Sequence, residues 1–330
     1  MRKALVLGVN GQDGSYLAEG LLRRGYEVTG IGRQQRSRHI EPTDFFHYVA
    51  VDLADASKLD AVLRHEDFDL VFHVAAVHGS SGFSYEPIWR NMMEVNVLAL
   101  HVLLEHARLR RPDMRIIYAN SAKVFPEPLA GTIDECTARA ATCLYSIGKI
   151  ASANLIDQYR DRHRIPASNL YLFNHESVRR GADFFVPKVA RCLATALRHP
   201  AFSAELQTLN FRADWSAASE LMDIAIDVAE RAPNRDLVLA SGHTWYAREA
   251  VEMLFQRYGL DYRGHFREAA PSRELPPDFR VSLNRLKAAI GRGPVRHLCT
   301  IVDEMLAYAG VPASTIAAAA PIYQFDGTPR

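Results

Sequence analysis

Cysteine is scarce in this chain. Four occur among 330 residues, Cys136, Cys143, Cys192 and Cys299, and none forms a CxxC pair. That excludes a disulfide framework and a thiolate zinc site, leaves no metal site to propose, and points to a reducing compartment. Charge of one sign is lacking too: 39 Lys and Arg against 38 Asp and Glu leave a net charge of +1. There is therefore no general attraction to nucleic acid or an anionic membrane, and any phosphate must be held by a local site. Long apolar runs are missing. Ala4–Leu7 ends at Gly8, too short for an export signal or a membrane span, and no other stretch approaches that length. Internal repeats and low-complexity linkers are also absent. These absences predict a soluble, cytoplasmic protein with neither nucleic acid nor membrane as a partner. What remains is 48% hydrophobic and 23% charged, an ordinary globular balance in a chain long enough for a large α/β domain and a smaller one.

Elements alternate along the first half. Ala4–Leu7, bounded by glycine, reads as a buried parallel strand. Leu17, Leu21 and Leu22 share a helical face over 15–24, closed by basic residues and Gly25. Strands at 27–31, 47–51, 70–74, 115–119 and 168–173 then alternate with helices at 57–65, 89–110 and 145–163. Such alternation predicts a Rossmann-type, doubly wound parallel sheet with right-handed crossovers. The later half is less regular, with helices expected at 187–197, 219–231, 247–258 and 300–309. The expected division is a dinucleotide-binding domain over 1–173, completed by a return segment near 210–245. A smaller, interleaved α/β substrate domain would cover most of 174–330.

Gly8-Val-Asn-Gly11-Gln-Asp-Gly14 follows the first strand and opens the first helix. Glycines there permit a tight turn and bring backbone N–H groups to a pyrophosphate at the helix's positive end. Gly8, Gly11, Gln12, Asp13 and Gly14 are therefore candidate cofactor residues. An NAD site commonly places an acid after the second strand, whereas this chain reads Gly30-Ile-Gly-Arg33-Gln-Gln-Arg36. Two arginines in place of a carboxylate suit a 2′-phosphate, hence NADP(H) rather than NAD. Asp52 and Leu53, after the third strand, suit adenine. Ala75, after the fourth, leaves room for a cofactor to pass close to the backbone.

Tyr145-Ser-Ile-Gly-Lys149 puts a phenol and an ammonium one helical turn apart. The ammonium would lower the phenol's pKa for proton transfer during hydride chemistry. Ser121, just past the fifth strand, completes a Ser-Tyr-Lys set of the short-chain dehydrogenase/reductase type.

With Gly11-Gln-Asp-Gly-Ser-Tyr-Leu-Ala-Glu19, Leu172-Phe-Asn-His-Glu-Ser177 and Arg179-Arg180-Gly181, the chain resembles the GDP-mannose 4,6-dehydratase family. Asp214-Trp215, Ala240-Ser-Gly-His-Thr244 and Arg248-Glu249 are similar to two later family segments. The resemblance implies bound NADP, oxidation of a GDP-linked hexose at C4, loss of water across C5–C6 and return of the hydride to C6. It also implies that Asn174, Lys188, Arg212 and Arg273 contact the GDP portion, as three cations and an amide could.

The chain departs from the family at Asn120-Ser-Ala-Lys123. Family dehydratases carry a glutamate base where this chain has Lys123, and Ala122 offers no acid for the C6 hydroxyl. One reading makes Lys123 the base of a dehydratase. Another retains only C4 redox chemistry, as a 4-keto-sugar reductase or epimerase. A third is a sugar-nucleotide-binding protein without turnover. His78 is a candidate acid or a plain loop residue; Tyr85, Trp89 and Trp215 read as core or pocket wall, and Cys143 as a small buried residue. The loop over 34–43 is shorter than the family's subunit-bridging loop, which predicts a homodimer and not a tetramer.

Overall fold

A computed structural model describes residues 1–79, 82–272 and 274–321. Among them, seven strands form one parallel sheet: β1 (Lys3–Leu7), β2 (Glu27–Gly32), β3 (Phe46–Ala50), β4 (Leu70–His73), β5 (Arg115–Ser121), β6 (Ala167–Leu172) and β7 (Leu237–Leu239). Their spatial order is β7-β6-β5-β4-β1-β2-β3. The order reverses between β1 and β4, which opens a crevice at their carboxyl ends, the place where doubly wound sheets bind ligands. This is the Rossmann-type architecture that the alternating pattern predicts.

Helices cover both faces of the sheet. On one, Leu17, Ala18 and Leu21 of the first helix (Gln12–Arg23) pack with Leu221, Ile224, Ala225 and Val228 of the helix Ala218–Arg231. The later half of the chain thus returns to close that face, and β7 extends the sheet beyond β6. On the other face lie Leu59, Leu63, Leu100, Leu103, Leu104 and Ile156. A second core collects Val189, Leu193, Trp215, Leu254, Phe255 and Val302 from the later helices and a small sheet. In that sheet the strand Arg212–Ala217 runs between Asn174–Glu176 and Thr244–Tyr246. Such short strands carry too few residues to show a period in the sequence.

The helix expected to run unbroken over 89–110 does not. It comprises Trp89–Met93, a π-turn at Glu94–Leu98, and Ala99–Arg110. A π-turn takes carbonyls out of the regular ladder, and such groups need other donors. Tyr118 donates to the Asn96 carbonyl at 2.7 Å, Ser152 donates to it at 3.0 Å, and His73 Nε2 meets the Val95 carbonyl at 3.0 Å. The buried Asn96 side chain also exchanges two hydrogen bonds with the Val77 backbone. The widened turn is stabilised by contacts that no periodicity encodes. No helix among the described residues is long and apolar enough to cross a membrane.

Trp215 stacks on Phe185 with ring centroids 5.6 Å apart and meets Phe211 edge-on. It is 3% exposed, so it belongs to the core, as expected. Trp215→Ala is predicted to cost about 3–5 kcal/mol, read as a lowered denaturation midpoint with the fold retained at low denaturant.

Candidate active site

The glycine loop leaves no space for side chains. Gly8 has φ +95°, and a Cβ there would lie 2.7 Å from the Ala75 backbone. A Cβ on Gly14 would fall 2.2 Å from the Gly8 carbonyl oxygen. The Gly11 amide donates back to that carbonyl at 2.9 Å and closes the turn. Ala75 in turn donates to Leu7 at 2.8 Å, drawing the end of β4 against the end of β1. The result is a backbone-lined concavity at the switch point, a cradle of the kind that admits a pyrophosphate.

Gln12 and Asp13 face inward rather than toward that concavity. Gln12 donates to the His175 carbonyl at 3.2 Å and accepts from Ser177 Oγ at 2.8 Å. Asp13 accepts from His175 Nε2 at 3.0 Å, and His175 Nδ1 lies 2.7 Å from the Phe173 carbonyl. With oxygen acceptors on both ring nitrogens, both must donate, so His175 is an imidazolium. Burial works against both charges. The histidine's charge and hydrogen bond nonetheless hold Asp13 far below its usual range, and the carboxylate raises His175.

Arg33 and Arg36 are exposed beyond β2, and neither enters an ion pair among the described residues. Their loop is pinned from the glycine turn. Asn10 donates to Gln34 Oε1 and to the Arg36 carbonyl, each at 3.0 Å, and accepts from the Arg38 amide at 2.8 Å. Asp52 is exposed after β3 and accepts from the Ala54 amide, whereas Leu53 is buried.

At the end of β5, Ser121 meets the helix Leu144–His163, which carries Tyr145 and Lys149. Lys149 is 1% exposed and donates to the Ala119 carbonyl and the Tyr118 hydroxyl at 2.5 and 3.1 Å. Its nitrogen lies 5.7 Å from the Tyr145 ring centroid. Burial pushes the amine down to about 7, with Asp13 acting the other way. Burial likewise holds the Tyr145 phenol above its usual range, and a hydrogen bond with Ser121 opposes this. The sequence anticipates an ammonium that lowers the phenol. Burial outweighs it, and Lys149 directs its hydrogen bonds to β5.

Around Tyr145, Tyr85 stacks with ring centroids 5.7 Å apart, and His78 lies 6.1 Å away in the open cleft. Arg180 covers the Phe184 ring at 3.6 Å, and its charge acts on His78, Tyr145 and Asp13. Beside it Glu176 is buried, and burial pushes its carboxyl up to about 7 against the pull of Arg180. Cys143 caps the helix together with Ser146 and is half-buried.

Lys123 is more than half exposed and forms an ion pair with Glu127. The second Glu127 oxygen accepts from Thr142 Oγ1 at 3.1 Å. Glu127 is not singled out by the sequence, because the segment after Val124 is not helical and a separation of four there implies no contact. Asn10, His175 and Arg180 lay inside quoted motifs and were given no role.

Asn174 is exposed at the start of its short strand, which pairs with Arg212–Ala217. Arg212 faces Asp278 at 3.6 Å and lies 5.6 Å from the centroid of the Tyr246 ring; its buried Nε has no hydrogen-bond partner among the described residues. Lys188, on the helix Phe185–Ala196, enters no ion pair among the described residues. Arg273 lies outside the described residues. The segments Asp214-Trp215 and Ala240–Thr244 are tied together, since Asp214 accepts from the Ser241 and Gly242 amides at 2.7 and 2.8 Å.

The profile of the GDP-mannose 4,6 dehydratase family matches residues 5–280. The chain belongs to this family. It is 27% identical to the GDP-mannose 4,6-dehydratase sdnI of Sordaria araneosa over 92% of its length, and spans 60% of that longer protein. It is 28% identical to the GDP-mannose 4,6-dehydratase of Yersinia enterocolitica, covering 79% of this chain and 73% of that relative. Among solved structures, UDP-glucose 4-epimerase from Brucella ovis in complex with NAD superimposes with a TM-score of 0.79 at 18% identity, covering 94% and 99% of the two chains.

Two predictions follow from this geometry. Gly14→Ala is expected to abolish dinucleotide binding in equilibrium titration, because its Cβ meets backbone and not a movable side chain. Wild type should exceed His175→Gln in stability most between pH 3.8 and 6.5, the ordinary values of the two partners. A raised histidine loses its contribution as pH rises through its folded value, and a depressed carboxylate loses its own as pH falls. Denaturant titrations at pH 5.5 and 9 should therefore show the gap narrowing at the higher pH.

Proposed function

We propose that this chain is an NADP(H)-dependent enzyme that acts on a GDP-linked hexose, withdrawing hydride at C4 and eliminating water across C5–C6. The observation that carries the reading is the convergence of Ser121, Tyr145 and Lys149 on the carboxyl edge of the sheet, next to the glycine concavity. A nicotinamide dinucleotide bound there supplies a hydride acceptor for C4 and a donor for C6. Ser121 would orient the C4 hydroxyl, and Tyr145 would exchange a proton with its oxygen. Lys149 would steady the phenol's charge from its seat on β5. Gly8, Gly11 and Gly14 would cradle the pyrophosphate, with Ala75 beside them, while Gln12 and Asp13 dock the loop. Asp52 and Leu53 would face the adenine. Asn174, Lys188 and Arg212, with Arg273, would take the GDP portion.

The preference for NADP rests on Arg33 and Arg36, cations without a carboxylate partner among the described residues, on a loop that Asn10 holds at the end of β2. The division of labour would follow the sheet: residues 1–173 with the return segment near 210–245 bind the dinucleotide, and most of 174–330 binds the sugar nucleotide. Val97, Leu98, Ala151 and Leu155 line a shallow apolar groove between two long helices, a face suited to a homodimer and without bearing on a tetramer.

A second reading, a 4-keto-sugar reductase or epimerase, is favoured by one contact. If Lys123 is the base, its nitrogen must be free to meet the C5 proton, whereas it is engaged with the Glu127 carboxylate.

Incubation with GDP-mannose and NADP is expected to give a product lighter by one water and carrying a keto group, with no net consumption of cofactor. Net oxidation of NADPH by a 4-keto sugar nucleotide, without water loss from GDP-mannose, would instead select the reductase. Arg33→Ala and Arg36→Ala should each weaken NADP about tenfold, the effect of a lost charge-assisted contact of about 1.4 kcal/mol, and leave NAD affinity unchanged in the same titration.

A further inference from the structure

On the family resemblance, Lys123 stands where a glutamate base is expected, which leaves two chemical needs of the proposed reaction unmet: a base for the C5 proton and an acid for the C6 hydroxyl. Ala122 can supply neither. Lys123 and Glu127 form an ion pair in the segment that follows β5. The Lys123 charge acts on Tyr85, whose ring stacks on Tyr145. Glu127 is anchored by Thr142, in the turn that leads into the Tyr145 helix. Both side chains are partly exposed, 55% for Lys123 and 36% for Glu127, so a substrate could displace solvent from them without breaking a core.

We propose that the roles are reversed relative to the residue types of the family: the Glu127 carboxylate removes the C5 proton and the Lys123 ammonium protonates the departing C6 hydroxyl. The assignment rests on the dehydratase reading above and deepens it. With C4 at the ketone level, the C5–H bond is acidified by the adjacent carbonyl. Glu127 takes the proton, and the C5–H electron pair becomes the C5–C6 double bond. The C6–O bond breaks, and the hydroxyl leaves with a proton from Lys123 as water. Glu127 would return its proton to C5 as the double bond is saturated, hydride for C6 being the chemistry a bound nicotinamide would supply. The proton that Tyr145 took from the C4 oxygen replaces, through solvent, the one Lys123 gave. The carboxylate thus supplies the acceptor and the amine the donor, from side chains that already face each other.

The test separates this assignment from the redox chemistry. A GDP-linked 4-keto-6-deoxyhexose, offered in deuterium oxide without NADP, already carries the acidic C5 proton. Wild type should exchange it, as followed by proton NMR. Glu127→Gln, which keeps a group able to accept from Thr142, should slow exchange about 10²–10⁴-fold, the usual range for loss of a general base. Lys123→Met should keep most of the exchange, yet lose water release from GDP-mannose by about 10²-fold or more while still forming reduced cofactor in a single turnover. Wild-type exchange in Glu127→Gln, or loss of exchange in Lys123→Met with full exchange in Glu127→Gln, overturns the assignment. Failure of the wild type to reduce NADP with GDP-mannose, with C5 exchange intact, would instead sink the dehydratase reading and leave Glu127 as the base of an epimerase-type site.

Discussion

The candidate site depends on a clamp between two parts of the chain far apart in sequence. Asp13 and Gln12, at the start of the first helix, are bonded to His175 and Ser177 on the segment that leaves β6. The clamp has two consequences. It holds the glycine turn at the height where its amides face the crevice, and it sets the strand Asn174–Glu176 against Arg212–Ala217. One charged pair therefore fixes the proposed dinucleotide side and the proposed sugar-nucleotide side relative to each other. A buried pair of this kind need not add net stability over apolar residues of the same volume, but it specifies one arrangement, because an unpaired partner would be costly.

The same economy applies to the reacting groups. Burial disfavours charge on Tyr145 and on Lys149 alike, and the latter is seated on the Ala119 carbonyl and the Tyr118 hydroxyl. Positive charge near the phenol is supplied as well by Arg180, poised over Phe184.

Much of this was legible in the chain itself. Bounded apolar runs marked the strands of the first half, because parallel strands buried on both faces need continuous hydrophobicity. The glycine spacing marked the turn, because only a residue without Cβ fits against Ala75 and the Gly8 carbonyl. Ser121, Tyr145 and Lys149 could be picked out because a helical turn and a strand end leave regular spacings. The π-turn at Glu94–Leu98 could not, since its stabilising donors come from β4, β5 and the helix Leu144–His163. The short strands 174–176 and 244–246 were invisible for a similar reason: their pairing is set by Asp214 and the clamp and not by their own composition. Gln12 and Asp13 were legible as to place but not as to direction, because a motif records where a side chain sits and says little of which way it turns.

The π-turn reaches further than its five residues. Asn96 offers a carbonyl that the helix does not use, and the Tyr118 hydroxyl donates to it. With its hydrogen committed there, the hydroxyl turns a lone pair toward Lys149, which donates to it. The height of the buried amine in the cleft is therefore set by a local widening in a different helix. Removing one residue from that turn would restore an ordinary ladder, free the Tyr118 hydrogen, and let the amine drift without any change to the Ser-Tyr-Lys set itself.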